Sequence, residues 1–568
     1  MVSRAPTVAF KPSYMHCSGT EPLFALTLGQ LIGEAAEKWG EREAMISLYE
    51  GKRYTFKQAQ EKADRLAAGL LKLGLKPGDR LGLWGPSASG WYISRFAAAR
   101  AGLIAVQIDP AYQPPQLQDA LAKVEAKALI CAEKFKSNYY KMLLTLIPEL
   151  NDCAELGVEI CSSKLPTLKT LIVMSDKQYR GAYRLEDIIL SADSEYIQEI
   201  HQLQTRIQPD DGCTIQFSSG TTGTPKAALL THHNVVNNSY FLSKWMGFSM
   251  KGAKMCTVTQ FCHSTGTCYG IICSLLFGYT AVLPSPIFDA MKTLEAVMQE
   301  RCTHIFSTPS LYVDLITSSK VHNLIVTTLL VAAYGGAPCS QQLALQMKET
   351  LNIKQLCPSY GMTELCGVFS SRPGDSLEQT TSTVGKIIEH YEMKVVDSEG
   401  CMVPMGTPGE LWVRGHGVML GYWNDEEKTR EFIRPDGWAK TGDQFVLQED
   451  GYARIVGRVK DVIIRIGDKI FPSEIEQFFE AHPDIMEAQA FGVPDPRVGE
   501  EICVYIRLRE GATVTERDII DYSKDKVADY RIPRYIRFTN EFPRTAATGK
   551  VQKTQLLKKL LSEMNNTN

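Results

Sequence analysis

No Cys-x-x-Cys pair occurs anywhere in the chain, although it holds 15 cysteines in 568 residues. An odd count at irregular spacing excludes a disulfide framework and the usual zinc spacings, and it fits a reducing compartment. An excess of one charge is also lacking. With 61 basic and 64 acidic side chains the net charge is −3, so the chain has no overall electrostatic footprint for nucleic acid. Long uninterrupted apolar runs are missing too. The longest stretch free of Lys, Arg, Asp and Glu, Met255 to Phe288, contains His263, Gly266, Gly270, Gly278, Pro284 and Pro286. A membrane span needs about 20 predominantly apolar residues; this stretch instead reads as a buried helix, a turn and a buried strand. Internal repeats and low-complexity tracts are absent. What remains is 44% hydrophobic and 22% charged, an ordinary globular composition. The length is enough for several cores, in about two to four domains.

The first 130 residues alternate helix and strand signals. Thr27-x-x-Gln30 and Thr55-x-x-Gln58 are capping boxes, each followed by an apolar stripe at helical spacing. Short apolar strands are predicted at Arg80–Trp84, Leu103–Ile108 and Ala128–Ala132. The expectation is an α/β fold, a large N-terminal domain with mostly parallel sheets flanked by helices. The tail differs. Ser473-x-x-Glu476 predicts a capped helix carrying Ile475, Phe478 and Phe479. Strands follow at Met486–Val493 and Ile502–Leu508, then a helix over Arg517–Val527 and a strand at Tyr535–Thr539. This is a small mobile α+β C-terminal domain of about 100 residues. The predicted division is a tail at 1–25, a large domain at 26–457, a hinge at 458–461 and the small domain at 462–568. The hinge follows a hairpin turned by Glu449-Asp450-Gly451. The tail, with Arg4 and Lys11 and no acid before Glu21, is either a short mitochondrial transit peptide or a frayed end. A mitochondrial location is therefore the expectation, with a cytoplasmic one as the alternative.

The densest chemical signal is Ser218-Ser219-Gly220-Thr221-Thr222-Gly223-Thr224-Pro225-Lys226, which follows the apolar strand Thr214–Phe217. Glycines, hydroxyls and one ammonium can wrap a polyphosphate with backbone N–H groups, side-chain donors and charge. It is not a Walker A loop, because only two residues separate its glycines and a strand, Ala227–Leu230, follows instead of a helix.

This loop resembles the phosphate-binding signature of the adenylate-forming enzymes, which include acyl-CoA synthetases, aryl-CoA ligases, luciferases and peptide-synthetase adenylation domains. Further stretches resemble that family's motifs, in the same order. Gly335-Gly336-Ala337-Pro338 is similar to the loop that packs on adenine. Tyr360-Gly361-Met362-Thr363-Glu364 is similar to the motif whose aromatic residue flanks adenine, whose threonine meets the α-phosphate and whose glutamate supports magnesium. Gly421-Tyr422-Trp423, Asp436-Gly437-Trp438 and Thr441-Gly442-Asp443 resemble the stretch ending in the ribose-binding aspartate. Gly457-Arg458-Val459-Lys460-Asp461 resembles the hinge, with Lys460 at its pivot. Pro543-Arg544-Thr545-Ala546-Ala547-Thr548-Gly549-Lys550 resembles the segment of the catalytic lysine. The resemblance runs from about residue 25 to residue 560 and is nearest to animal medium-chain acyl-CoA ligases.

The resemblance implies an ATP-dependent acid–thiol ligase that joins a small carboxylic acid, a medium-chain fatty acid, to CoA through acyl-AMP. ATP and Mg²⁺ are the implied cofactors and CoA the co-substrate. Adenylation brings two anions together, so preorganised cations and donors supply the largest catalytic contribution. Lys550, Thr363 and Glu364 are the implied catalytic residues, and Glu364 is also the implied Mg²⁺ carboxylate. Asp443 accepts the ribose hydroxyls, with the Arg458 fork beside it. His263 is either a gate beside the acyl pocket or a satisfied core histidine. The nearby Cys256, Cys262, Cys268 and Cys273 read as small buried hydrophobes of the helix. Two positions depart from the family. Ala227 stands where glycine is common, costing about 1–2 kcal/mol if φ is positive there. Ile466 precedes Gly467 where relatives often carry a second glycine, which bears on CoA placement. Two alternatives stay open: a luciferase-like oxidative enzyme, and a homologue that binds nucleotide or acyl groups without turnover.

Overall fold

Thr27 and Thr55 cap the first two helices as their spacing predicts. Each hydroxyl accepts the N–H three residues on, and Gln30 and Gln58 reach back to the cap. The helices, Leu28–Trp39 and Phe56–Lys72, bury Leu28, Leu31, Ile32, Leu66 and Leu70 against one another and against Ser89–Arg100. The computed structural model describes residues 11–134, 137–218, 225–337, 339–465, 468–524, 526–527, 531–545 and 549–565.

Two large sheets carry the α/β character. The first runs in the order Gly421–Tyr422, Lys226–Thr231, Gly212–Ser218, Ile104–Ile108, Arg80–Trp84, Ala128–Ala132, Thr170–Met174, Ala182–Arg184. From Gly212–Ser218 onward every neighbour is parallel. The second sheet is parallel from Gln355–Met362 through Val331–Gly335, His304–Ser307, Lys254–Thr257 and Thr280–Leu283 to Glu43–Ser47. Antiparallel strands finish both of its ends. A third sheet, Tyr14–Cys17, Tyr391–Val396, Gly409–Gly415, Ala439–Leu447 and Ala453–Arg458, is antiparallel throughout. Sequence reading did not anticipate it, although Tyr391–Val396 and Ala439–Leu447 begin with the strict burial alternation of a sheet wet on one face.

In the C-terminal domain the strand Gly499–Leu508 pairs with Ile485–Asp495 and with Tyr535–Phe538. Ile502, Val504 and Ile506 point into a core with Ile475 and Phe479, while Cys503 and Tyr505 point into another with Phe542, Leu556 and Leu560. A strand covered on both faces anchors the domain, each fully buried aliphatic side chain contributing about 1.5–3 kcal/mol.

Three expectations need correction. The helix Pro472–Glu480 is not capped by Ser473. Pro472 opens it with a φ already suited to helix, Phe471 is the cap, and the Ser473 hydroxyl donates to the Val456 carbonyl at 2.5 Å. Glu476 accepts from the Ala490 N–H and from Lys553 instead of closing a capping box. The helix expected to reach Val527 is Glu516–Ser523, ended by extended Lys524. The stretch around residues 255–288 does hold a helix, a turn at Gly278 (φ 68°) and a buried strand, but its first helical part, Gly266–Ile272, is a π-helix. Cys268 and Cys273 lie on these helices, whereas Cys256 is on a strand and Cys262 in a turn. Among the described residues no helix is long and apolar enough to cross a membrane.

Candidate functional site

Ser218, Gly335 and Met362 end three strands of the two α/β sheets, and the carboxyl ends of parallel strands are where open α/β sheets receive ligands. Gly335 pairs with Ser359, and a Cβ at Gly335 would lie 2.6 Å from the Ser359 carbonyl oxygen. Gly336 then turns with φ 79°. Glycine at both positions is what lets the chain leave the strand so tightly. Tyr360 and Gly361 begin a hairpin back into Cys366–Ser370, where a Cβ at Gly361 would lie 2.0 Å from the Cys366 carbonyl oxygen. Thr363 is half-buried in the turn of that hairpin, and Ala337 is exposed.

Asp443 and Arg458 face each other across an antiparallel pair. The Arg458 Nε donates to Asp443 Oδ1 at 3.0 Å, and the Tyr360 hydroxyl donates to Oδ2 at 2.6 Å. Asp443 is 3% exposed. The Tyr360 ring is fixed edge-on against Phe445, and burial, then the Asp443 charge, push its phenol well above the ordinary value.

Glu364 is buried and organised by two hydroxyls. Ser218 Oγ donates to Oε1 at 2.7 Å and the Tyr422 hydroxyl to the same atom at 2.8 Å. Its backbone carbonyl accepts the Met419 N–H. Oε2 receives no donor among the described residues, which leaves one carboxylate oxygen for a hard cation; that fits Mg²⁺, which binds through one or two carboxylates together with substrate phosphates. No group of three or more His, Cys, Asp or Glu suited to a metal ion occurs among the described residues. Lys226, opposite Ser218, holds its ammonium 5.0 Å from the centre of the Tyr422 ring. Ala227 is paired with Phe217 in regular strand and has no positive φ, so its departure from glycine carries no strain.

Lys550 comes from the other domain. It stands in a hairpin closed by Thr545 N–H to the Lys550 carbonyl (2.9 Å) and Gly549 N–H to the Thr545 carbonyl (2.8 Å). The residue is exposed, and its ammonium lies in the fields of Arg458, Asp443 and Asp461. Burial, then Arg458, hold its pKa below the ordinary lysine value. His263 lies within the field of the same ammonium. Its Nδ1 accepts the Thr265 N–H at 3.2 Å, and burial followed by the Lys550 charge lowers its pKa to about 4, so the ring is neutral. Lys460 lies in the turn Val459–Asp461 directly after Arg458, its pKa lowered by burial and by Arg458, with Lys226 also near. His232, which begins a helix, spends its Nδ1 on the Leu28 N–H at 3.0 Å.

The expected residues Ser218, Lys226, Tyr360, Glu364, Asp443, Arg458 and Lys550 thus converge, with His263 beside them. Pro225 borders the group, its carbonyl accepting from Lys123. Ser219, Gly220, Thr221, Thr222, Gly223, Thr224, Pro338 and Ile466 lie outside the described residues. Sequence reading missed the hydroxyl of Tyr422. The only signal for it was its place in Gly421-Tyr422-Trp423, and nothing in that spacing points a phenol at a glutamate 58 residues away.

The AMP-binding enzyme family matches residues 32–423, and the AMP-binding enzyme C-terminal domain matches residues 474–550. The mitochondrial medium-chain acyl-CoA ligase ACSF2 of Danio rerio is 42% identical over 548 residues, covering 96% of this chain and 90% of that protein. Its Homo sapiens counterpart is 38% identical over 560 residues, covering 97% and 90%. The crystal structure of the anthranilate CoA ligase AuaEII in complex with anthranoyl-AMP superposes with a TM-score of 0.83 at 25% identity, covering 96% of this chain and 99% of that one. Matched over most of its length in sequence and in fold, the chain belongs to the AMP-binding enzyme family of adenylate-forming ligases.

Proposed function

We propose that this chain activates a medium-chain fatty acid with ATP and transfers the acyl group to CoA. In the first half-reaction a carboxylate oxygen of the acid attacks the α-phosphorus of ATP, the bond to the bridging oxygen breaks, and pyrophosphate leaves. In the second, the CoA thiol loses its proton to solvent as its sulfur attacks the acyl carbon, the C–O bond to the phosphate breaks, and AMP leaves. The observation that carries this reading is the convergence of Asp443, Arg458, Glu364 and the Lys550 ammonium at the strand ends.

Asp443 binds the ribose hydroxyls, and Tyr360 holds that carboxylate in place while its ring, with the Gly335-Gly336 turn, borders the adenine. Lys550 bridges the attacking carboxylate and the α-phosphate and offsets the charge gathering there. Thr363 and Lys226 donate to phosphate, joined by the glycines and hydroxyls of the loop, while the Ser218 hydroxyl stays on Glu364. Glu364 holds Mg²⁺, which when bound neutralises charge on the phosphates. Neutral His263 lines the entrance of the acyl chain without adding a second positive charge beside Lys550. Residues 458–461 are the hinge about which the C-terminal domain turns so that Lys550 withdraws and the CoA thiol enters. The medium-chain preference and a mitochondrial location are proposed from the ACSF2 relatives.

A panel of acids from acetate to palmitate, assayed with ATP, Mg²⁺ and CoA for acyl-CoA and AMP, tests the reading. Highest turnover at intermediate chain length is expected. Turnover confined to the shortest or longest acids, or to aromatic acids, would overturn the substrate class.

A further inference from the structure

The hairpin that carries Lys550 is tied at both ends to one strand of the C-terminal domain, Ile485–Asp495. On entry, Arg544 Nη2 donates to Glu487 Oε2 at 2.6 Å. On exit, the ammonium of Lys553, which opens the helix Lys553–Asn565, donates to the Ala490 carbonyl at 3.0 Å and to Glu476. The strand is itself held in place by pairing with Gly499–Leu508.

The entry tie reaches further than the exit tie. Arg544 Nη1 donates to the Gly549 carbonyl at 3.0 Å, and that carbonyl belongs to the peptide bond joining Gly549 to Lys550. One planar guanidinium thus bridges the Glu487 carboxylate and the peptide from which the Lys550 side chain departs, a fork that a single ammonium cannot copy. Gly549 turns with φ 69°. Glycine holds that conformation no more firmly than many others, so the orientation of the peptide has to come from its hydrogen bonds. The Ser310 hydroxyl of the large domain also reaches this carbonyl, but only at 3.5 Å, beyond the usual range. The Arg544 and Glu487 side chains are 19% and 13% exposed, so water competes little for their charge-assisted bond.

We propose that Glu487 is a positioning residue for acyl-AMP formation: it holds Arg544, and Arg544 holds the Gly549–Lys550 peptide so that the ammonium meets the α-phosphate in one fixed place. The inference rests on the reading that Lys550 serves acyl-AMP formation and withdraws before thioester formation. Glu487 and the hairpin belong to one domain, so the brace sets where Lys550 stands and not how the two domains are arranged. Only the half-reaction that uses Lys550 depends on it.

The test measures both half-reactions in the full chain for Glu487→Gln, Arg544→Lys, Lys550→Ala and the combination of Glu487→Gln with Lys550→Ala, with thermal midpoints recorded for each. Adenylation is read as acid-dependent pyrophosphate release in the absence of CoA, and thioester formation as conversion of supplied acyl-AMP with CoA. Glu487→Gln keeps the shape and removes the charge, whereas Arg544→Lys keeps the charge and removes the fork. Each is expected to slow adenylation roughly tenfold, short of the roughly 10²-fold that a 1 Å misplacement can cost. Thioester formation is expected to stay within about twofold. In the Lys550→Ala background Glu487→Gln is expected to change adenylation by no more than about twofold, because the brace then has no ammonium to position. A role in folding alone would cost the same in both backgrounds. Equal losses in the two half-reactions, no loss of adenylation in Glu487→Gln, or an undiminished further loss in the Lys550→Ala background would overturn the brace alone. An unselective Lys550→Ala would overturn the reading on which it rests.

Discussion

The Tyr360 hydroxyl and the Asp443 carboxylate, 83 residues apart in the chain, are joined by a 2.6 Å hydrogen bond. Arg458 occupies the other carboxylate oxygen. A carboxylate has about four lone-pair sites, so Asp443 can keep both partners and still accept two ribose hydroxyls. Its orientation is fixed before nucleotide arrives.

Asp443→Ala removes that acceptor and leaves the Arg458 guanidinium unpaired. ATP affinity is expected to fall by about 1.5–3 kcal/mol, measured by titration calorimetry. Tyr360→Phe keeps the ring and loses only the neutral donor, so a smaller loss of about 0.5–1.5 kcal/mol is expected. Unchanged affinity in Asp443→Ala would remove this residue from the ribose site.

Tyr422→Phe takes one of two hydroxyls from Glu364 Oε1 while the ring stays over Lys226. A less firmly oriented carboxylate holds its cation less well. The Mg²⁺ concentration for half-maximal adenylation is expected to rise, by up to about tenfold for one lost hydrogen bond. A magnesium titration identical to that of the parent protein would show that Tyr422 does not act through Glu364.

His263 bears on pH dependence. With its pKa lowered to about 4 by burial and Lys550, it is already neutral at every pH above about 5. Its protonation therefore produces no loss of activity on going from about pH 8 to 5.5. The acid limb of the adenylation profile is expected to keep its midpoint in His263→Gln, whatever happens to its height. A shifted midpoint would show that His263 titrates within that range.

Lys460→Pro probes the turn that must absorb rotation between half-reactions, because proline fixes φ near about −65°. Conversion of supplied acyl-AMP to acyl-CoA is expected to suffer more than acyl-AMP formation. Lys550→Ala is expected to do the reverse, with adenylation slowed by roughly 10²–10³ if its role matches one preorganised donor. Separate assays of the two half-reactions check both, and equal losses would leave a static site.

Much of this site is legible in sequence because its residues sit at turns with demanding backbones. Gly335 and Gly361 must be glycine where a Cβ would strike a carbonyl oxygen, and Gly336 where φ is 79°, and such constraints survive as short motifs. The capping boxes at Thr27 and Thr55 are legible for a similar reason, each being a local hydrogen-bond pattern written within four residues. Interactions between distant segments are not legible. The donation of Tyr422 to Glu364 and that of Tyr360 to Asp443 depend on how the sheets meet. Of the antiparallel third sheet only the hairpin at Glu449-Asp450-Gly451 was legible, since its edge strand Tyr14–Cys17 pairs with Tyr391–Val396 from the far end of the chain. Ser473 was misleading because its hydroxyl finds a carbonyl of a preceding strand, Val456, a partner that a capping pattern cannot reveal.

Acid-dependent exchange of labelled pyrophosphate into ATP, run with octanoate and Mg²⁺ in the absence of CoA, addresses the chemistry most directly. Reversible acyl-AMP formation requires exchange that depends on the acid, and subsequent addition of CoA is expected to give acyl-CoA and AMP in equal amounts. Absence of exchange, or ADP and phosphate appearing in place of AMP and pyrophosphate, would contradict an adenylate-forming mechanism for this chain.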